Sequence, residues 1–172
     1  MLRLRKIEPS DLPFLYQWEN DATMWADSDT HNPLSRHDLH QYIENTTGDI
    51  YRDGQLRLII EDSQLSTLNS QLSTKIVGCI DLFDFDARNR KAAIGMYIAP
   101  DTRGRGVGKQ AVQLLLDYAF NFLHLRMVYA IISVNNVACS RLYEQMDFLP
   151  SSSLRAWTLE GDAILWQKMN TN

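Results

Sequence analysis

Arg103-Gly104-Arg105-Gly106-Val107-Gly108-Lys109 packs three glycines and three cations into seven residues, directly ahead of an amphipathic helical pattern. The amino end of a helix carries partial positive charge, so cations placed there are unfavourable unless an anion sits among them. Glycines cost backbone entropy, but they let a chain approach a ligand closely with its amides free. Together these features describe a phosphate cradle: open N–H groups, a helix dipole and basic side chains around one anion.

Two common phosphate loops are excluded by counting. A Walker A loop needs Gly-x-x-x-x-Gly-Lys-Ser/Thr; here Gln110 follows Gly108-Lys109, and Arg103 holds the first glycine position. The dinucleotide fingerprint Gly-x-Gly-x-x-Gly would end on Lys109 or Ala111, and no strand with an acidic residue follows at the usual ~20-residue distance. What the chain does carry is Arg103-x-x-Gly106-x-Gly108, with Ala92-Ala93-Ile94-Gly95-Met96-Tyr97-Ile98-Ala99-Pro100 upstream of it. Downstream stand Asn136-Val137-Ala138-Cys139-Ser140-Arg141-Leu142-Tyr143-Glu144 and Phe148. In this order and at this spacing the three blocks resemble the GCN5-related N-acetyltransferase (GNAT) superfamily, firmly over residues 75–170 and more loosely before them. The chain is most similar to the branch holding spermidine and ribosomal-protein N-acetyltransferases.

Outward from the loop, the hydrophobic pattern supplies the rest of the elements. Leu2 to Ile7 alternates as a half-buried strand does, and Ser10 is placed to cap a helix through Asn20 with Leu12, Leu15 and Trp18 on one side. A polar loop runs from Asp21 to Pro33, and Ser35-x-x-Asp38 forms a capping box for a second helix with Leu39, Tyr42 and Ile43 at core spacing. Strands are expected at 56–61, 75–85, 92–99 and 127–134, and helices at 107–123 and 137–145. The core face of the first of these helices would hold Val107, Ala111, Leu114, Leu115, Tyr118, Ala119 and Phe122. A hairpin over 154–159 and 163–169 turns on Glu160-Gly161-Asp162. Between two of the strands, Ser63-Gln-Leu-Ser-Thr67 is duplicated at Ser70-Gln-Leu-Ser-Thr74, and the polar composition reads as a mobile hairpin insert over 62–74. The order of elements gives one mixed α/β (α+β) sheet with helices on both faces rather than a repeating βαβ fold. The resemblance sharpens this to a GNAT-like single domain over 1–172. Its sheet would have about seven strands, mostly antiparallel, with strands 92–99 and 127–134 running parallel and then splaying apart.

With 172 residues, 45% of them hydrophobic, the chain can bury a substantial core. A net charge of −4 argues against a nucleic-acid coat. Cys79 and Cys139 read as reduced thiols, and with His31, His37, His40 and His124 they form no metal-ligand pattern, so no metal is expected. No apolar run approaches the ~18 residues needed to span a bilayer. The amphipathic start Leu2-Arg3-Leu4-Arg5 differs from a signal peptide, and the chain reads as cytoplasmic with no membrane partner.

The resemblance implies acetyl-CoA as acyl donor. Arg103, Gly104, Arg105, Gly106, Val107, Gly108 and Lys109 would hold its pyrophosphate through amides and cations. Backbone groups near Ile98 and Ala99 would pair with the pantetheine arm, one N–H serving as a small oxyanion hole. Asn136 matches the asparagine that contacts that arm, with Asn135 as the off-by-one alternative. Tyr143 would donate a proton to the departing thiolate; a phenol titrates near ~10 and a thiol near ~8.5, so transfer would follow charge development on sulfur. The chain departs from related enzymes at Ala93, where Ala-Glu-Ile-Gly is common, so the base role of that glutamate is absent. Asp81, Asp84, Asp86, Glu19 and Asp27 are substitutes, and no base is named. A second departure is Asp147, where glycine usually follows this helix.

The acceptor side is assigned to the loop after the first helix, the second helix and the last hairpin. Asp21, Asp27, Asp29, Asp38 and Glu44 make it acidic, and Trp18, Trp25 and Trp157 offer apolar or cation–π surfaces. Trp25 and Asp27 are the substrate-binding candidates. The expected function is direct acetyl transfer to a primary amine, such as a polyamine, with homo-oligomers occurring among similar proteins. The alternatives are a ribosomal-type protein N-terminal acetyltransferase and a non-catalytic acyl-CoA-binding module.

Overall fold

The computed structural model of the chain describes residues 1–27, 32–63 and 74–171. The duplicated Ser-Gln-Leu-Ser-Thr stretch therefore lies almost wholly outside the described residues, as do Asp29 and His31. Seven strands form one sheet: β1 (Leu2–Lys6), β2 (Leu56–Asp62), β3 (Lys75–Asp86), β4 (Lys91–Ile98), β5 (Met127–Ser133), β6 (Leu149–Thr158) and β7 (Gly161–Met169). Their order is β1-β2-β3-β4-β5-β7-β6. Every neighbouring pair is antiparallel except β4 and β5. β6 begins earlier than the alternation after Leu154 suggests, because Leu149 and Pro150 already pair with β7.

The pleat sends alternate residues to opposite faces, and the chain uses both. Leu58 and Ile60 join Ile80, Leu82, Ala92 and Ile94 in a core covered by α4 (Val107–Asp117) and α5 (Val137–Gln145). Ile59 and Cys79 point the other way, into a smaller core with Leu15 and Trp18 of α1 (Leu12–Glu19) and Leu39 and Ile43 of α2 (Arg36–Asn45). A short α3 (Ile50–Asp53) leads into β2.

Two helix ends depart from the sequence reading. Ser10 does not cap α1. A 3-10 turn, Pro9–Asp11, precedes the helix, and the buried Asp11 carboxylate accepts the Glu8 N–H at 2.8 Å and two Arg5 guanidinium bonds at 2.7 Å. The reason is charge: Arg5 on β1 needs a buried partner, and Asp11 supplies it while closing the turn. The Ser35–Asp38 capping box does form. At the other end, α4 passes into a π-turn, Tyr118–Phe122, which rotates the residues after it. Phe122 consequently leaves the core face, 69% exposed, and stacks on Tyr118 with 5.1 Å between ring centroids.

Candidate active site

β4 pairs with β3 along nearly its whole length but with β5 only at Lys91↔Met127, Ala92↔Val128 and Ala93↔Tyr129. Beyond Ala93 the two strands part. Residues on an antiparallel strand alternate between facing their partner with both backbone groups and facing away. Ala99 donates its N–H to Val77 O at 2.9 Å, on the β3 side. Its carbonyl accepts from the Thr102 N–H and hydroxyl, at 2.9 and 2.8 Å. By that alternation Ile94, Met96 and Ile98 turn their backbone groups toward the gap. Ile98 therefore faces the gap, with its carbonyl taken by Arg103 Nε at 2.9 Å, whereas both backbone groups of Ala99 are spent elsewhere within the chain.

The glycine-rich loop lies at the mouth of this gap. Gly104 and Gly106 adopt φ of 75° and 78°, and Gly106 caps α4 without a side-chain bond. No carbonyl takes the amides of Gly104, Arg105 or Gly106 among the described residues, and Val107, Gly108 and Lys109 form a first turn whose amides have no intrahelical partner. A Cβ on Gly108 would lie 3.2 Å from Met96 Cε and 3.4 Å from Leu142 Cδ2, so this glycine lets α4 sit close on β4 and α5. Arg105 and Lys109 are exposed. Arg103 behaves differently from the sequence expectation. Its N–H goes to Pro100 O at 3.4 Å, and its Nε donates to Ile98 O at 2.9 Å. The guanidinium is therefore turned back along β4, away from the open amides.

Tyr143 on α5 is 2% exposed and meets Phe148 edge-to-face at 4.8 Å between centroids. Burial, with Cys139 beside it, pushes the phenol well above its ordinary pKa, so it stays neutral. Asn136 caps α5, its Oδ1 accepting the Cys139 N–H at 3.1 Å, which leaves its amide N–H groups to donate outward. Asn135 is exposed and carries no cap. Asp147 takes the left-handed backbone at φ 59°, as glycine would, and Lys168 pairs with it at 3.4 Å.

Across the sheet, Glu19, Asp81, Asp84 and Asp86 are each engaged in bonds within the chain. Arg57 donates twice to Asp81, at 2.9 and 2.7 Å, and once to Glu19 at 2.5 Å, with its guanidinium 5.7 Å from the Tyr42 ring. Asp84 accepts the Tyr129 hydroxyl, and Asp86 closes a turn onto Asn89. Asp21 and Asp38 are likewise spent, on Thr23 and Ser35, and Glu44 lies 3.3 Å from His40. Trp18 is core rather than surface, its ring 5.2 Å from that of Tyr97, because α1 presents it to the sheet. Trp25, in the 3-10 turn Ala22–Asp27, donates its indole N–H to Glu19 O at 3.0 Å. Asp27 ends that turn; its side chain lies outside what is described. Trp157 is 59% exposed on β6. Sequence reasoning missed Arg57, although a cation inside the apolar run Leu56-Arg57-Leu58-Ile59-Ile60 is itself a sign of a partnered charge.

The family model described as the acetyltransferase (GNAT) domain matches residues 1–149. A spermidine N(1)-acetyltransferase of Vibrio cholerae is 26% identical over 156 residues, covering 89% of this chain and 82% of that protein. A putative ribosomal N-acetyltransferase of Bacillus subtilis is 35% identical over 80 residues, 46% of this chain and 44% of the relative. Among solved structures, spermidine N-acetyltransferase from Vibrio cholerae in complex with CoA and spermine superposes with a TM-score of 0.84 at 22% identity. The match covers 99% of this chain and 96% of the other.

Proposed function

We propose that this chain, which belongs to the acetyltransferase (GNAT) domain family, moves an acetyl group from acetyl-CoA to a primary amine of a small polyamine by direct attack. The observation that carries the reading is the parting of β4 and β5 after Ala93, beside a loop of unpaired amides. A flat, fully paired sheet would have no place for an acyl-pantetheine arm. The named relatives and the acidic character of the α1–α2 side support a cationic acceptor.

The residues fit the donor. Amides of Gly104 to Lys109, with Arg105 and Lys109, form the positive end that takes the pyrophosphate. The gap-facing edge of β4 pairs with the pantetheine amides, and the Ile98 N–H is aimed at the thioester oxygen. The amine nitrogen attacks the carbonyl carbon, the C–S bond breaks, and Tyr143 gives its proton to the leaving sulfur. A phenol held neutral by burial remains a donor across the working range. The nitrogen's surplus proton goes to water, because Glu19 and Asp81 are ion-paired to Arg57 and Asp84 is bonded to Tyr129.

The test is release of CoA thiol from acetyl-CoA near pH 8, over spermidine, spermine, aminoglycosides, amino acids and N-terminal peptides. Turnover confined to the polyamines is expected. Turnover with ribosomal N-terminal peptides alone would move the chain to protein acetylation. Tight acetyl-CoA binding without turnover of any acceptor would favour a non-catalytic acyl-CoA module. Failure to bind acetyl-CoA would overturn the assignment.

A further inference from the structure

The guanidinium of Arg103 touches three residues in two parts of the molecule, β4 and the turn after α1. Its Nε holds Ile98 O at 2.9 Å on the gap edge of β4, its Nη2 lies 3.5 Å from Met24 Sδ, and its centre sits 5.8 Å over the Tyr97 ring. Met24 belongs to the turn Ala22–Asp27, which is held from its other side as well: Trp25 donates to Glu19 O, and Glu19 is bound by Arg57. Asp21, which opens that turn, is held below the usual carboxylate range by its bonds to Thr23, with the Arg103 charge adding to them. The next residue after Arg103, Gly104, begins the open amides of the loop.

We propose that Arg103 is a positioning residue that couples the donor site to the acceptor wall. Its backbone moves with the pyrophosphate loop, and its side chain props the turn that borders the amine. Filling the loop restrains the Arg103 backbone, and the guanidinium passes that restraint to Ile98 and Met24. The amine then meets a wall already set, so it binds more tightly once the donor is in place. Linkage requires the reverse effect to be equal. This rests on the acetyl-transfer reading above and assigns Arg103 a role other than phosphate ligand.

The experiment measures spermidine affinity by calorimetry with and without saturating CoA, which cannot react, and CoA affinity with and without spermidine. Wild type is expected to show coupling of about fivefold, the lower end of the usual range for linked sites. Arg103→Met is expected to bring that ratio close to one while CoA affinity alone shifts less than about twofold; in turnover the spermidine KM should rise more than kcat falls. Met24→Ala attacks the same contact from the other end. It should remove most of the same coupling, and the double variant should lose no more than Arg103→Met does. Arg103→Met weakening CoA binding tenfold or more would make the side chain a phosphate ligand and overturn the proposal. Unchanged coupling in both variants would overturn it too, leaving the enzyme assignment standing. If the wild type binds CoA but not spermidine, or neither, the polyamine reading falls and this inference with it.

Discussion

At the scale of single residues, Tyr143 and Cys79 show how one physical cause, burial, has different consequences. Tyr143 is buried against Phe148 with its phenol held neutral, which suits a proton donor. Tyr143→Phe should lower kcat about 10²-fold, the range of general-acid contributions, with CoA affinity unchanged in calorimetry. With water as the proposed acceptor of the amine's proton, kcat/KM for a polyamine should climb with the free-amine fraction up to pH ~9. The raised phenol adds no falling limb in that window. A bell-shaped profile centred below pH 8 would contradict this. Cys79 is buried beside Asp81 and its thiol is pushed up to about 12. A raised value means that the folded protein keeps a proton the unfolded chain gives up. Its stability contribution is therefore full below about pH 8.5 and falls as pH rises toward the folded value. The urea midpoint should decline from that pH upward, and Cys79→Ala should flatten the decline.

At the scale of elements, the loop and α4 were the most legible part of the chain. Three glycines among cations are a poor choice for stability alone, so the sequence reading assigns them to an anion. The structure divides their work: Gly106 needs φ 78°, whereas Gly108 needs the space between Met96 and Leu142. Gly106→Ala should cost about 1–2 kcal/mol of stability through the left-handed backbone. Gly108→Ala should change stability by ~1 kcal/mol or less, because its Cβ meets only the flexible ends of Met96 and Leu142 and alanine favours the helix, while the crowding should weaken CoA binding. Thermal melts and CoA titration of the two variants separate the effects. Two features of these elements could not be read. The π-turn after Asp117 is one extra residue in a helical turn, invisible to a 3.6 period, so Phe122 was placed on the wrong face. The cap of α1 depended on Arg5, six residues from Asp11, which local capping rules do not see.

At the scale of the whole molecule, the two faces of the sheet carry different chemistry, and Arg57 ties the second face together. It joins β2, β3 and α1 through Asp81 and Glu19, all three side chains about one-fifth exposed. Arg57→Met would leave two carboxylates facing each other. It should cost about 3 kcal/mol, as broken buried pairs do, read as a fall in ΔG of urea unfolding, with spermidine KM rising alongside. Helices lie on both faces, and no described helix is long and apolar enough to cross a membrane. Local pattern alone determined most of the strands and helices and marked the glycine-rich loop, because alternation, amphipathic period and glycine placement act between residues a few positions apart; Tyr143 was singled out by the family resemblance. Which carboxylates remain free, that Ala99 faces β3 while Ile98 faces the gap, and that Arg103 reaches Met24 were decided only by tertiary structure. Those facts depend on strand register and on side chains meeting across 24 to 79 positions of chain, and such meetings leave no trace in local sequence.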